Sequence, residues 1–218
     1  MKTIRYIDKP NNIFKKEKFI LSALNLAFLS YYFDKKIEFS HNLVVWPDGI
    51  FSKFFIDSKK IPGSQLINQL KMKNSISELI VVGNLGKISK NFLKKKFKIK
   101  IIHIKIPLID EKSIQNISIR LKKKSICLIT LPTPKQELLA QKISEQNNFF
   151  KIICIGGGLD IASGFIQECP KFLKFLGLEF IWRLRTDTLR RILRLIKTFI
   201  NFNFKIIYKF SNLKFKKL

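Results

Sequence analysis

Histidine is nearly absent, at His41 and His103 alone, and the three cysteines, Cys127, Cys154 and Cys169, are odd in number and far apart. No set of them has zinc-ligand spacing, and no disulfide framework can be drawn through them. Cys127 and Cys154 sit inside apolar runs, where a thiol serves as a small hydrophobe, so the usage points to a reducing, cytoplasmic compartment. No D-x-D that would hold a divalent cation occurs, nor a G-x-G-x-x-G dinucleotide fingerprint. A long hydrophobic run is also missing. FILSALNLAFLSYYF at 19–33 falls short of the roughly 20 residues a membrane span needs, is broken by Asn25 and several hydroxyl side chains, and is followed by no small-x-small cleavage pattern. It reads as part of a buried amphipathic helix over about 14–33.

Acidic residues are scarce. Fifteen Asp and Glu stand against 42 Lys and Arg, for a formal net charge of +27. That field draws a protein toward anionic membranes, nucleic acid or phosphorylated substrates without choosing among them. The 46% apolar content excludes a disordered polyelectrolyte, and 218 residues suffice for one sizeable core with an appendage. Lysines are scattered and read as a solvated surface. Arginine is rare, yet Arg183, Arg185, Arg190, Arg191 and Arg194 fall in one short stretch, the pattern expected where bidentate contacts to phosphate are needed.

Strand-like runs occur at 41–46, 78–83, 98–105, 125–130 and 151–156. Helix-like segments fall at about 63–73, 86–96, 111–123 and 135–147. Alternation of this kind predicts an α/β fold, Rossmann-like, with a mainly parallel sheet and flanking helices. Residues 1–177 read as that core, and 178–218 as a very basic amphipathic C-terminal appendage suited to a membrane surface.

In such sheets ligands bind beyond the carboxyl ends of the strands. Three of those ends are chemically marked: Pro47-Asp48-Gly49, the stretch TLPTPKQE at 130–137, and Gly156-Gly157-Gly158-Leu159-Asp160. Singly, each has a bland reading. Pro-Asp-Gly is a common turn, Gln136 and Glu137 suit a first helical turn, and Pro134 suits the first helical position.

Together and in order, the stretches resemble the WecG/TagA/CpsF family of bacterial glycosyltransferases, glycosyltransferase family 26. The resemblance runs through Asn25, PDG at 47–49, IPGSQL at 61–66, PKQE at 134–137, IGGGLDIASG at 155–164 and CPKFLKFLGLEFIWRL at 169–184, on to Arg190 and Arg194. It implies an inverting transfer of a sugar, N-acetylmannosamine or a relative, from a UDP-sugar to a polyprenyl-diphosphate-linked sugar on the cytoplasmic face of the membrane. It makes Asp48 the general base, with Asn25 in the same pocket. Lys60, Gln136, Gly156, Gly157 and Asp160 fall to the sugar-nucleotide pocket, and Arg183, Arg190 and Arg194 to the departing diphosphate. No metal and no cofactor is expected. Ala23 stands where the family commonly has threonine, Lys60 where it has arginine, and Thr130 and Pro132 where it has glycine, so altered donor choice, or an inactive scaffold, is an alternative outcome. A basic nucleic-acid-binding protein is the rival from another class. It would need a concentrated basic-aromatic face or a reader motif, and neither occurs in the sequence.

Overall fold

The computed structural model describes residues 2–33, 42–170, 172, 173, 182, 192, 193 and 213–218. Eight strands form one sheet: β1 (Lys2–Tyr6), β2 (Phe19–Leu24), β3 (Leu43–Pro47), β4 (Glu78–Val82), β5 (Lys100–Ile104), β6 (Ser125–Ile129), β7 (Lys151–Cys154) and β8 (Leu213–Lys217). Their order is β5-β4-β6-β7-β2-β3-β1-β8, and every pairing is parallel. Six α-helices are described: α1 (Leu26–Phe33), α2 (Gly63–Gln69), α3 (Lys87–Phe97), α4 (Glu111–Arg120), α5 (Lys135–Gln146) and α6 (Gly158–Ala162).

The helices cover both faces. On one, Phe28 and Leu29 of α1, Ile114 and Ile117 of α4, and Leu139, Ala140 and Ile143 of α5 pack on Ile20, Ile80, Cys127, Ile129 and Ile152. On the other, Leu66 and Ile67 of α2, Leu93 of α3 and Leu159 of α6 pack on Leu21, Leu79, Leu128 and Ile153. Alternate residues of one strand thus enter opposite cores, which is why the inner strands are apolar at nearly every position. The result is a Rossmann-like α/β sandwich.

Two expectations are corrected. The run at 14–33 is not one helix. Phe19–Leu24 is the fully buried central strand β2, and α1 starts only at Leu26. The chain breaks there because Asn25 Oδ1 accepts the Phe28 N–H at 3.0 Å, capping the helix. Pro134 is the N-cap position of α5, not its first helical residue, which is Lys135.

Two strands at one end of the sheet come in addition to those expected. β1 and β8 pair along five residues, and Lys217 of β8 reaches Asp8, whose carboxyl it holds below its ordinary value. The last residues of the stretch expected as an appendage therefore belong to the sheet. Lysine along β8 suits an outermost strand, where charge discourages further pairing.

Candidate active site at the carboxyl edge

Because every strand is parallel, every loop that follows a strand opens on the same edge. The four neighbouring strands β6, β7, β2 and β3 deliver to it the 130–137 stretch, the glycine turn, Asn25 and Asp48. Adjacent strands lie about 4.8 Å apart, so these four ends span about 15 Å.

Asp48 and Asn25 meet across the β2–β3 boundary. Asn25 Nδ2 donates to Asp48 Oδ2 at 3.4 Å, while the other end of the same amide caps α1. Capping fixes which way the amide points, and so turns its N–H groups toward the carboxylate. Gly49 follows with φ +85, and Ser52 Oγ donates to its carbonyl at 2.9 Å, closing the turn behind Asp48. Lys60 is drawn in by the backbone: Ile61 N–H donates to the Pro47 carbonyl at 2.7 Å, which pins the segment carrying the half-buried Lys60 beside the end of β3.

The glycine turn is shaped by contacts that no side chain could share. Gly156 has φ +53, and its N–H donates to the Ile129 carbonyl at 3.1 Å. A Cβ on Gly158 would stand 3.0 Å from the Gly63 carbonyl carbon. The third glycine of the run and the glycine of IPGSQL are therefore the contact between α6 and α2. Asp160, in the first turn of α6, accepts from Ser89 Oγ at 3.0 Å, and Ser89 also bonds Ser163 Oγ at 2.9 Å, which ties the start of α3 to α6.

Gln136 and Glu137 are more deeply placed than a first-turn position requires, at 3% and 1% exposure. Ser22 Oγ of β2 donates to Glu137 Oε1 at 2.8 Å. Burial pushes the Glu137 carboxyl above the usual carboxylate range, against the opposing pull of hydrogen bonds from Ser22, Gln136 and Thr133. The buried thiols nearby are inert. Burial pushes Cys127 up to about 12 and Cys154 well above its ordinary value.

Thr130 donates Oγ1 to the Asn84 carbonyl at 2.8 Å and the Val82 carbonyl at 3.2 Å, lashing the end of β6 to that of β4. Gly83 has φ +107, and a Cβ there would come within 2.7 Å of the same hydroxyl. Glycine on one strand end makes room for threonine on the next.

Of the expected site residues, the structure joins Asn25 with Asp48 and sets Gln136 against Gly156; Asp160 is joined to Ser89, which was not anticipated. Arg183, Arg190 and Arg194 lie outside the described residues. Trp182, which precedes Arg183 in the chain, donates its indole N–H to the Gln167 carbonyl at 3.4 Å. Ser22 and Ser89 escaped the sequence reading, because their partners Glu137 and Asp160 lie far along the chain and only the fold makes them neighbours. Among the described residues, no three His, Cys, Asp or Glu side chains gather as a metal site would require, and no helix is long and apolar enough to cross a membrane.

A parallel α/β sheet whose polar and glycine-bearing loops crowd one edge defines a Rossmann-like protein, a class in which ligands bind at the strand carboxyl ends. The model of the Glycosyl transferase WecG/TagA/CpsF family matches residues 43–215. The chain belongs to that family, and it is a glycosyltransferase, acting on a sugar donor and an acceptor. The matched span starts at β3, so β1, β2 and Asn25 precede it.

Proposed function

We propose that the protein moves a sugar, of the N-acetylmannosamine type or a relative, from a UDP-sugar to a polyprenyl-diphosphate-linked sugar. The transfer inverts the anomeric centre and serves cell-surface polysaccharide synthesis at the inner face of the membrane. The observation that carries this reading is the Asn25–Asp48 pair, a carboxylate at a strand end held by an amide that is itself fixed. General-base catalysis needs a carboxylate so positioned. Asp48 takes the proton of the acceptor hydroxyl as its oxygen attacks the anomeric carbon, the bond to the UDP oxygen breaks on the opposite side, and the electron pair leaves with UDP. Asn25 orients the carboxylate.

The leaving diphosphate gathers negative charge that must be met by preorganised cations or amide donors. Lys60, beside the end of β3, supplies one cation, and Arg183, Arg190 and Arg194 supply the others. Gly156 and Gly157 let the backbone approach the sugar nucleotide, with Gln136 and Asp160 beside them. The basic amphipathic stretch after Gly177 attaches to anionic lipid, and nucleic acid is not a partner. The test is transfer itself: a panel of UDP-sugars with a short-chain polyprenyl-diphosphate sugar, following UDP release and the anomeric configuration of the product. UDP release with an inverted product is the expected result. Retention of configuration, or no release with any donor, overturns the reading.

A further inference from the structure

The start of α5 holds a hydrogen-bond network that the mechanism above does not use. Gln136 Nε2 donates to Glu137 Oε1 at 2.8 Å and to Thr133 Oγ1 at 3.1 Å, which occupies both amide hydrogens. Ser22 Oγ at 2.8 Å and Thr133 Oγ1 at 3.2 Å donate to the same Glu137 oxygen. Among the described residues, the buried Gln136 Oε1 and Glu137 Oε2 have no hydrogen-bond partner.

Reversing the Gln136 amide would press its carbonyl oxygen against Glu137 Oε1, acceptor on acceptor, so the carboxyl dictates the orientation. A proton on Glu137 would sit on Oε2, which receives no donor, and Oε1 remains an acceptor in either state. Gln136 Oε1 is consequently turned toward Gly156, where a Cβ would stand 3.6 Å from it. Gly157, the next residue, has nothing within 4 Å on its Cβ side, so the turn is open at that point. A buried carbonyl oxygen without a donor is unfavourable until something donates to it. A diphosphate, which only accepts, cannot.

We propose that Glu137 is a positioning residue that locks the Gln136 amide with its carbonyl oxygen toward the Gly156 turn, so that this position recognises a hydrogen-bond donor of the sugar nucleotide and takes no part in holding the diphosphate. The recognised group is a hydroxyl or amide N–H of the sugar, or the imide N–H of a uracil-type base. The inference rests on the reading above in one respect, that the Gly156 turn belongs to the donor pocket.

Calorimetric titration of the full chain with a UDP-sugar, UDP and inorganic pyrophosphate tests it. In Gln136→Leu and Glu137→Leu the UDP-sugar Kd should rise about tenfold, the scale of losing one specific hydrogen bond. The double variant should be no weaker than either single one, as expected of residues acting through one contact, and pyrophosphate binding should stay within about twofold of wild type. In transfer assays the donor KM should rise while kcat is largely kept, because the contact is equal in ground and transition states. If UDP weakens in step with the UDP-sugar, the recognised donor is on the base; if UDP is unaffected, it is on the sugar.

Pyrophosphate binding that falls in step overturns the recognition claim. Wild-type affinity in a folded Glu137→Leu, with Gln136→Leu weakened, overturns the positioning claim and leaves the pocket in place. No change in Gln136→Leu for any ligand removes Gln136 from the pocket and ends the inference, whereas a wild-type protein that binds none of the three ends the donor reading itself. Thr133→Val removes one of the two Nε2 acceptors and leaves the carboxyl intact, so it serves if Glu137→Leu does not fold. It should weaken the UDP-sugar about threefold with the same selectivity, and wild-type affinity there overturns the proposal.

Discussion

The two edges of the sheet differ in chemistry. At the carboxyl edge stand Asn25, Asp48, Gln136 and Asp160 with the glycine turns. At the amino edge, the helix ends, turns and strand starts carry Lys15, Lys16 and Lys18, Lys71 and Lys73, Lys94, Lys95, Lys96 and Lys98, Lys122, Lys123 and Lys124, and Lys151. These ammonium groups feel one another. Burial, and then the charge of Lys71, depress Lys96; burial likewise depresses Lys151, with Lys123 and Lys73 lowering it further and Glu17 opposing. The carboxyl ends of α3 and α4 run into this edge, and their partial negative charge suits the basic residues of their last turns, Lys94, Lys95 and Lys96 in α3 and Arg120 in α4. Much of the surplus positive charge therefore has a structural reason and lies away from the proposed chemistry. Net charge alone is a poor guide to where the proposed diphosphate would bind.

The comparison breaks most visibly if the proposed diphosphate clamp is removed. Arg190→Ala and Arg194→Ala should each lower transfer by about 10²-fold, the scale of losing a preorganised donor to developing charge, with attachment to anionic vesicles largely kept. Sedimentation with vesicles and UDP release, measured on one preparation, separate the two. Cutting the chain after Gly177 is a poorer test than the sequence suggests, because it also deletes β8 from the sheet.

Next in size is Asn25→Leu, which takes away both the cap of α1 and the amide on Asp48. Turnover should fall about tenfold or more, and the lost cap should lower stability by about 1 kcal/mol. Asn25→Asp keeps the cap and sets a second carboxylate against Asp48, so stability should recover and turnover should not. Gly158→Val forces a side chain into the Gly63 backbone and should cost about 1–3 kcal/mol in chemical denaturation, with UDP-sugar affinity falling as α6 shifts.

The smallest effects belong to the amino edge. Replacing Lys122, Lys123 and Lys124 together by Gln should leave kcat/KM within about twofold, since surface charges beyond a Debye length from the site are screened. A large loss would mean that the cationic edge takes part in transfer. Glu137 adds a pH signature to stability. Its folded pKa is raised, so the native state holds a proton that the unfolded chain releases; this stabilisation is complete below the unfolded value, about pH 4.3, and is lost as pH rises through the folded one. Thermal unfolding should accordingly show wild type losing ground to Glu137→Gln as pH rises from about 4.

Legibility in the sequence followed burial. The runs at 78–83, 125–130 and 151–156 are apolar on both faces and announced themselves as strands. β2 did not, because Phe19–Leu24 passes without a charge or a glycine into Leu26–Phe33, and the one marker between strand and helix is the cap at Asn25. β1 and β8 carry Lys and Arg, so their alternation is diluted. In the site, Asp48 and the glycine turn were marked by residue type, and the family resemblance supplied their order. The bond between Ser22 and Glu137 joins residues 115 apart in the chain, and only the order of strands makes them neighbours. Gly158 looked like one more loop glycine until its contact with Gly63 gave it a packing role.

The claim that Asp48 removes the acceptor proton is tested most directly by single-turnover transfer in Asp48→Asn, with UDP-sugar affinity measured on the same protein. Asparagine keeps the shape of the side chain and cannot take the proton. The account predicts unchanged UDP-sugar affinity and a transfer step slowed by about 10²-fold or more. Transfer at a near-normal rate by a folded Asp48→Asn protein would contradict it and reduce Asp48 to a residue of the turn.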